Sequence, residues 1–176
     1  MRLKYRAAYL KPTPRSLPVK QIDTNRLDEL VKAAQTSPRR RANFNLHETL
    51  SDPVQRLAIA MEPDTLIKPH RHGHTWELLF PLRGRFLVLH FADDGLVTRR
   101  TVLGDQVAVL ETAAGEWHAV LSLDVGGVIF EVKHGPYTPI GSADFAAWAG
   151  GDHEPEAAAL TAWYASEQPG ERFVAA

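Results

Sequence analysis

A mainly β fold, a sandwich or barrel with a helix ahead of the strands and short helices behind them, is what this sequence predicts. Between Val54 and Lys133 short apolar segments recur, separated by turn signals at Pro63-Asp64, Gly84, Asp93-Asp94-Gly95 and Gly104-Asp105. Helical spacing occurs only outside that region, near residues 23–36 and 154–167. Strands at this density, with no long helix among them, indicate a sandwich or barrel. At 176 residues, with no internal repeat, the chain suits one structural domain with a core of its own.

Residues 1–22 form an N-terminal arm whose first twenty residues carry six basic side chains, no acid, and prolines at 12, 14 and 18. Residues 23–52 comprise a helix and a polar connector. Asp23 can cap the helix, Ile22 and Leu27 occupy the staple positions, and Leu27, Leu30, Val31 and Ala34 share one apolar face. Ser37-Pro38 ends it, and a triple arginine, Arg39–Arg41, follows as a solvated charge run.

The β region spans residues 53–140. Expected strands cover Gln55–Met61, a hairpin over Leu78–Phe91 turning at Gly84, Val97–Leu103, Gln106–Leu110, Trp117–Leu121 and Val128–Lys133. In the C-terminal extension, 141–176, Ser142–Trp148 reads as a short capped helix and Glu154–Glu167 as a longer one with Leu160, Trp163 and Tyr164 on one face.

The bulk chemistry excludes several function classes. With 20 basic and 21 acidic residues, the net charge of −1 supplies no global field for nucleic acid or a membrane surface. No signal-peptide core follows the basic start, and no run approaches the ~18 apolar residues of a membrane span. The absence of cysteine removes thiolate ligands and disulfides. A cytoplasmic protein taking a small-molecule ligand is the expectation.

The chemistry concentrates in Pro69-His70-Arg71-His72-Gly73-His74-Thr75-Trp76-Glu77. His70 and His72 are two apart, so on an extended chain their rings leave the same face. Glu77 has the opposite parity and joins them only if a turn intervenes, for which Gly73-His74 is placed. A fourth donor comes from Gly115-Glu116-Trp117-His118, where a glycine turn delivers His118 onto an apolar strand. His70, His72, Glu77 and His118 are thus the candidate ligands of one divalent ion, Fe, Mn, Ni or Zn, with positions left open for substrate or water. His74, too close to Glu77 for the same set, is expected to be exposed or to act from outside it.

The spacing His70-x-His72, four residues, Glu77, six residues, Gly84 resembles the first motif of the cupin superfamily, and Gly115-x-x-His118 the core of its second. Asp64 and Ala113 stand where that pattern has glycine and proline. Asn43-Phe44-Asn45-Leu46-His47, Val54-Gln55-Arg56, Pro69–His72 and Phe130–Tyr137 together resemble the WbuC family of cupin-fold metalloproteins over roughly residues 20 to 150. The resemblance implies a cupin, a double-stranded β-helix or jelly-roll barrel, that binds a metal and is associated with surface polysaccharide genes. It also implies a homodimer, since cupins commonly pair through sheet edges.

Further site residues follow. Glu131 and Lys133 share a face opposite Val132, and the family pattern raises the prospect that Glu131 lies near the metal as a proton-transfer group; His47 is the other catalytic candidate. Asn43, Asn45 and His47 share a face if extended, and Arg56 lies beside small Ala58 and Ala60; with Lys133, the asparagines and Arg56 are the candidate substrate contacts. His90, on a strand apolar on both faces, reads as a core or interface histidine. The function expected is Lewis-acid chemistry of isomerase or epimerase type on a small polar or sugar-derived anion. An iron-dependent oxygenase and a non-catalytic metal or ligand-binding module are the alternatives.

Overall fold

The computed structural model describes residues 19–150 and 154–173. Most of the basic arm therefore lies outside the described residues. The first described helix, α1, spans Thr24–Thr36; the Asp23 carboxylate accepts from the Arg26 backbone N–H at 2.9 Å, the expected cap. Its apolar face, with Leu30 and Ala34 buried, lies on Ala58, Ala60, Val128 and Phe130.

Strands β1 (Arg41–Asn45), β2 (Val54–Met61), β3 (Glu77–Arg83), β4 (Phe86–Phe91), β5 (Val97–Leu103), β6 (Leu110–Thr112), β7 (Trp117–Ser122) and β8 (Gly127–His134) form two antiparallel sheets. Their orders are β1-β2-β8-β3-β6 and β5-β4-β7. The chain closes with two short 3₁₀ turns, Ser142–Asp144 and Ala147–Ala149, and helix α2 (Glu154–Ser166).

Side-chain alternation orders these elements into layers. On β4, Phe86 and Val88 face the larger sheet and pack with Met61, Leu79, Leu103, Val120 and Ile129. Leu87, Leu89 and Phe91 take the other face, against Leu160 and Tyr164 of α2. The Tyr164 hydroxyl donates to the Ile67 carbonyl at 3.0 Å, tying α2 to the segment before β3. Both faces of β4 are apolar because the larger sheet covers one and α2 the other. Each fully buried large apolar side chain adds roughly 1.5–3 kcal/mol.

Three expectations are corrected. Leu78–Phe91 is not a hairpin: β3 pairs with β8 and β6, whereas β4 pairs with β5 and β7. At Gly84 (φ +73°) the chain crosses from one sheet to the other, and Arg85 secures the crossing with backbone and guanidinium bonds to Asp124. The strand expected over Gln106–Leu110 starts instead at Leu110, where the chain reaches the β3 edge opposite Leu79. The capped helix expected over Ser142–Trp148 is two separate 3₁₀ turns with no side-chain cap.

Candidate metal centre

The four candidate ligands converge from three places in the fold. His118 is the second residue of β7 and points between the sheets, as does His90 opposite it on β4. His70 lies beside His118 and exchanges both backbone hydrogen bonds with it, at 3.0 and 2.9 Å. Between His70 and His72, Arg71 is pinned outward: its backbone N–H donates to the Asp144 carbonyl, its Nε to the Asp144 carboxylate, both at 3.0 Å. Its guanidinium lies 4.6 Å from the centre of a Trp117 ring. The turn at Gly73-His74 then reverses the parity, as its spacing predicts, and Glu77 opens β3 facing inward. Gly115 (φ +86°) donates its N–H to the His72 carbonyl at 3.0 Å, so the turn of the second motif grips the first. His74 is exposed.

One nitrogen from each of His70, His72 and His118 lies within 4.8 Å of the others, a group able to hold a metal ion. Two of these rings are oriented by backbone acceptors. His70 Nδ1 faces the Lys68 carbonyl at 2.8 Å and His118 Nδ1 faces the Glu116 carbonyl at 3.0 Å. A neutral imidazole donating from Nδ1 keeps its Nε2 lone pair free, the tautomer a metal requires. His118 Nε2 nonetheless meets a second acceptor, Glu77 Oε2, at 3.1 Å, and His72 Nε2 lies 3.3 Å from Glu77 Oε1 without hydrogen-bond alignment. Buried nitrogens and a carboxylate this close need a cation or shared protons among them. The donor set fits a divalent ion.

Electrostatics reinforce that fit. Burial, then the neighbouring His118, pushes His70 down to about 3, so its imidazole is neutral. Burial alone would raise the Glu77 carboxyl, but its contacts with His118 and His72 and the Lys133 charge hold it well below the usual carboxylate range. Beside it Lys133 Nζ lies 3.4 Å from Glu77 Oε1 and 2.6 Å from Glu131 Oε1, and all three side chains are largely buried. Burial, then the Glu77 charge, pushes Glu131 up to about 7 against the pull of Lys133. Glu131 and Lys133, which parity put on one face, form a buried couple at the centre's edge.

The centre opens into a cavity of about 1490 Å³ lined also by Glu131, Lys133 and Asn43. Asn45 is exposed and accepts from the Asn43 amide at 2.8 Å, outside the cavity lining. Two further candidates are not brought to the site. Arg56 pairs in register with Val132, on the α1 side of β2, and its guanidinium lies 3.6 Å from Asp52. Ala58 and Ala60 beside it are small because α1 packs on them, not because a pocket needs room. His47 is buried outside the cavity lining, its Nδ1 accepting from the Arg56 N–H at 3.0 Å. His90 is inward-facing with Nε2 3.0 Å from Thr112 Oγ1, and burial lowers it to about 4. Arg41, read in sequence as part of a solvated run, lines the cavity; its parity with Asn43 was the available signal.

Comparison with known proteins agrees with the architecture. A family described as Domain of unknown function (DUF6016) matches residues 22–103. No curated protein matches the sequence. Among solved structures, TT1209 from Thermus thermophilus aligns with a TM-score of 0.50 at 18% identity, over 67% of this chain and 97% of that one. CapF with the inhibitor 3-isopropenyl-tropolone aligns at 0.50 and 17% identity, over 59% of this chain and 30% of its own. A cupin 2 domain-containing protein from Halorhodospira halophila aligns at 0.44 and 15%, over 53% of this chain and 63% of that one. The chain has the cupin fold. At these identities the likeness is one of fold, and this chain spans 30% of the length of CapF. No helix among the described residues is long and apolar enough to cross a membrane.

Proposed function

We propose that this cupin is a mononuclear metalloprotein of WbuC type, with His70, His72, His118 and Glu77 holding one divalent ion, and that it acts on a small polar or sugar-derived anion. What carries the reading is the convergence of three imidazole nitrogens within 4.8 Å, two of them oriented by backbone carbonyls, at the wall of an open cavity. A bound ion would supply Lewis-acid polarisation of a substrate oxygen.

The chain's own residues supply the rest. Glu131, held near neutrality by burial beside Glu77, is suited to take or give a proton at a substrate carbon or oxygen. Lys133, contacting both carboxylates, stabilises the charge that Glu131 carries once it has given up its proton and orients Glu77. Such a pair beside an open metal position supports isomerase or epimerase chemistry, in which a proton leaves one substrate atom and returns either to another atom or to the opposite face of the same one, without a net redox change. A link to surface polysaccharide synthesis, a homodimer and a cytoplasmic location belong to the same reading and rest on the WbuC resemblance and the absence of cysteine.

The test is elemental analysis of protein purified without an affinity tag or chelator, followed by assay of sugar-derived acids and sugar phosphates with the metal exchanged. About one zinc, manganese or nickel per chain, with turnover that survives exchange among them and needs Glu131, is the expected result. Stoichiometric iron with substrate-dependent oxygen uptake would replace this reading by an oxygenase. Bound metal with no turnover of any candidate would leave a binding module. No metal, and none taken up on titration, would remove the centre itself.

A further inference from the structure

The cavity is larger than a small anion needs, and its far end carries a charge that nothing in the centre uses. Ligand pockets run roughly 300–1,000 Å³, whereas this one encloses about 1490 Å³. Sheet register gives its layout. Glu77 pairs with Lys133 and Leu57 with Glu131; next on the same inner face come Ile59 opposite Ile129, then Met61 opposite Gly127, and Arg41 lies opposite Met61 on β1. The Glu131 row and the Arg41 row are four residues apart, about 13 Å along the strands. The wall between them is apolar, formed by Ile59, Met61, Leu79 and Ile129.

The three consecutive arginines do not behave alike. Arg40 adopts a left-handed conformation (φ +55°), which turns it onto Asp64 at 3.0 Å and the Gln35 carbonyl, so its charge is matched. All three line the cavity, as does Asp64, but neither Arg39 nor Arg41 makes an ion pair among the described residues. Arg41 is half-buried, and burial and the Arg39 charge both disfavour its proton. A partly desolvated guanidinium beside a like charge is unfavourable until an anion meets it, and its planar fork suits a carboxylate or phosphate.

We propose that the cavity takes an elongated ligand with a terminal carboxylate or phosphate seated on Arg41, an apolar middle lying along Ile59, Met61 and Ile129, and a polar head at the histidine cluster. The head end rests on the metal-centre reading above; the tail end does not. Arg39 adds long-range attraction at the cavity rim, while Arg41 makes the contact.

Calorimetric titration of the full chain separates the two. With metal-free protein the probes are heptanoate, hexyl phosphate and the neutral 1-hexanol. Both anions should bind at least tenfold more tightly than hexanol to the wild type. Arg41→Gln should erase that advantage, and Arg41→Lys should keep part of it. The tighter of the two anions identifies the tail chemistry. Equal binding by wild type and Arg41→Gln, or no binding of either anion to the wild type, would overturn the proposal. Arg41 is on the edge strand with its side chain at the open cavity, so the fold should survive; unchanged circular dichroism of Arg41→Gln checks this, and Arg41→Lys gives a second reading. Failure of the centre would register separately, as no metal uptake by a protein whose anion binding still depends on Arg41.

Discussion

Glu77 Oε2 and His118 Nε2 stand 3.1 Å apart although 41 positions separate the two residues, and the opposite nitrogen of the same ring faces the Glu116 carbonyl at 3.0 Å. One neutral imidazole cannot donate to both acceptors. Either the ring is protonated, which burial opposes and the neighbouring carboxylate more than offsets, or a metal ion takes the place of the second proton. The predicted difference is measurable. His118→Ala and His72→Ala should each lose stoichiometric metal by elemental analysis while keeping the β circular-dichroism spectrum. Wild type should melt at lower temperature after chelator treatment, by about 3 kcal/mol of stability if the ion was present at about 100 times its Kd. Neither variant should respond to chelator.

Lys133 contacts both Glu77 and Glu131, and its side chain is 14% exposed. Lys133→Met leaves two buried carboxylates facing each other without that counter-charge. Removing one partner of a buried ionic group costs roughly 3–5 kcal/mol. Denaturant unfolding of metal-free protein should show a loss of that order for Lys133→Met, and the double change Lys133→Met with Glu131→Gln should recover a large part of it. A double variant as unstable as the single one would mean that packing, not charge, holds Lys133 in place.

The convergence of these four side chains was legible because its information is one-dimensional: His70-x-His72, a turn, Glu77, and a glycine three residues before His118 fix geometry through local parity. What sequence could not provide was register between distant strands. Gly84 between two apolar runs signals a turn, but the same signal serves a hairpin and a crossing between sheets; only the partners β8 and β5 distinguish them. Arg56 was misplaced for a related reason, since a small-residue strand face suits a pocket wall and a helix-packing surface equally. For Arg41 the parity with Asn43 was a signal, but the left-handed turn at Arg40, which sends its neighbour onto Asp64, has no signature in three identical letters.

Gly104 follows β5 at φ +89°, and a Cβ there would lie 2.8 Å from the Gly84 carbonyl oxygen. The two glycine turns therefore pack against each other at the place where the chain changes sheets. Gly104→Ala combines a conformation that L residues rarely adopt with a backbone clash. A cost of on the order of 2–3 kcal/mol is expected, read as a fall in the unfolding midpoint. Gly115→Ala provides the comparison: its φ is also positive, at +86°, but a Cβ there meets nothing within 4 Å, so it should lose less.

Arg71 separates the two histidines and faces away from the histidine cluster, yet it fixes the segment that carries both. Its Nε bonds Asp144, its backbone bonds the Asp144 carbonyl, and its guanidinium stacks over Trp117, the residue next to His118. Arg71→Met would release the side-chain contacts and leave the backbone one, loosening His70 and His72 relative to His118 without unburying a ligand. Groups that orient metal ligands from behind typically govern roughly 10–100-fold in metal affinity. Competition titration against a chromogenic chelator should therefore show Arg71→Met binding at least tenfold more weakly than wild type. Because the Arg71–Asp144 pair is about one-third exposed, unfolding stability should change by no more than ~1 kcal/mol. Arg71→Lys keeps the charge but not the planar face over Trp117, and should fall between the two. If affinity instead tracked stability across the three proteins, Arg71 would be a structural residue with no particular hold on the histidines. A loss of affinity at constant stability would show that the centre's geometry is set by the loop's anchor as well as by the strands.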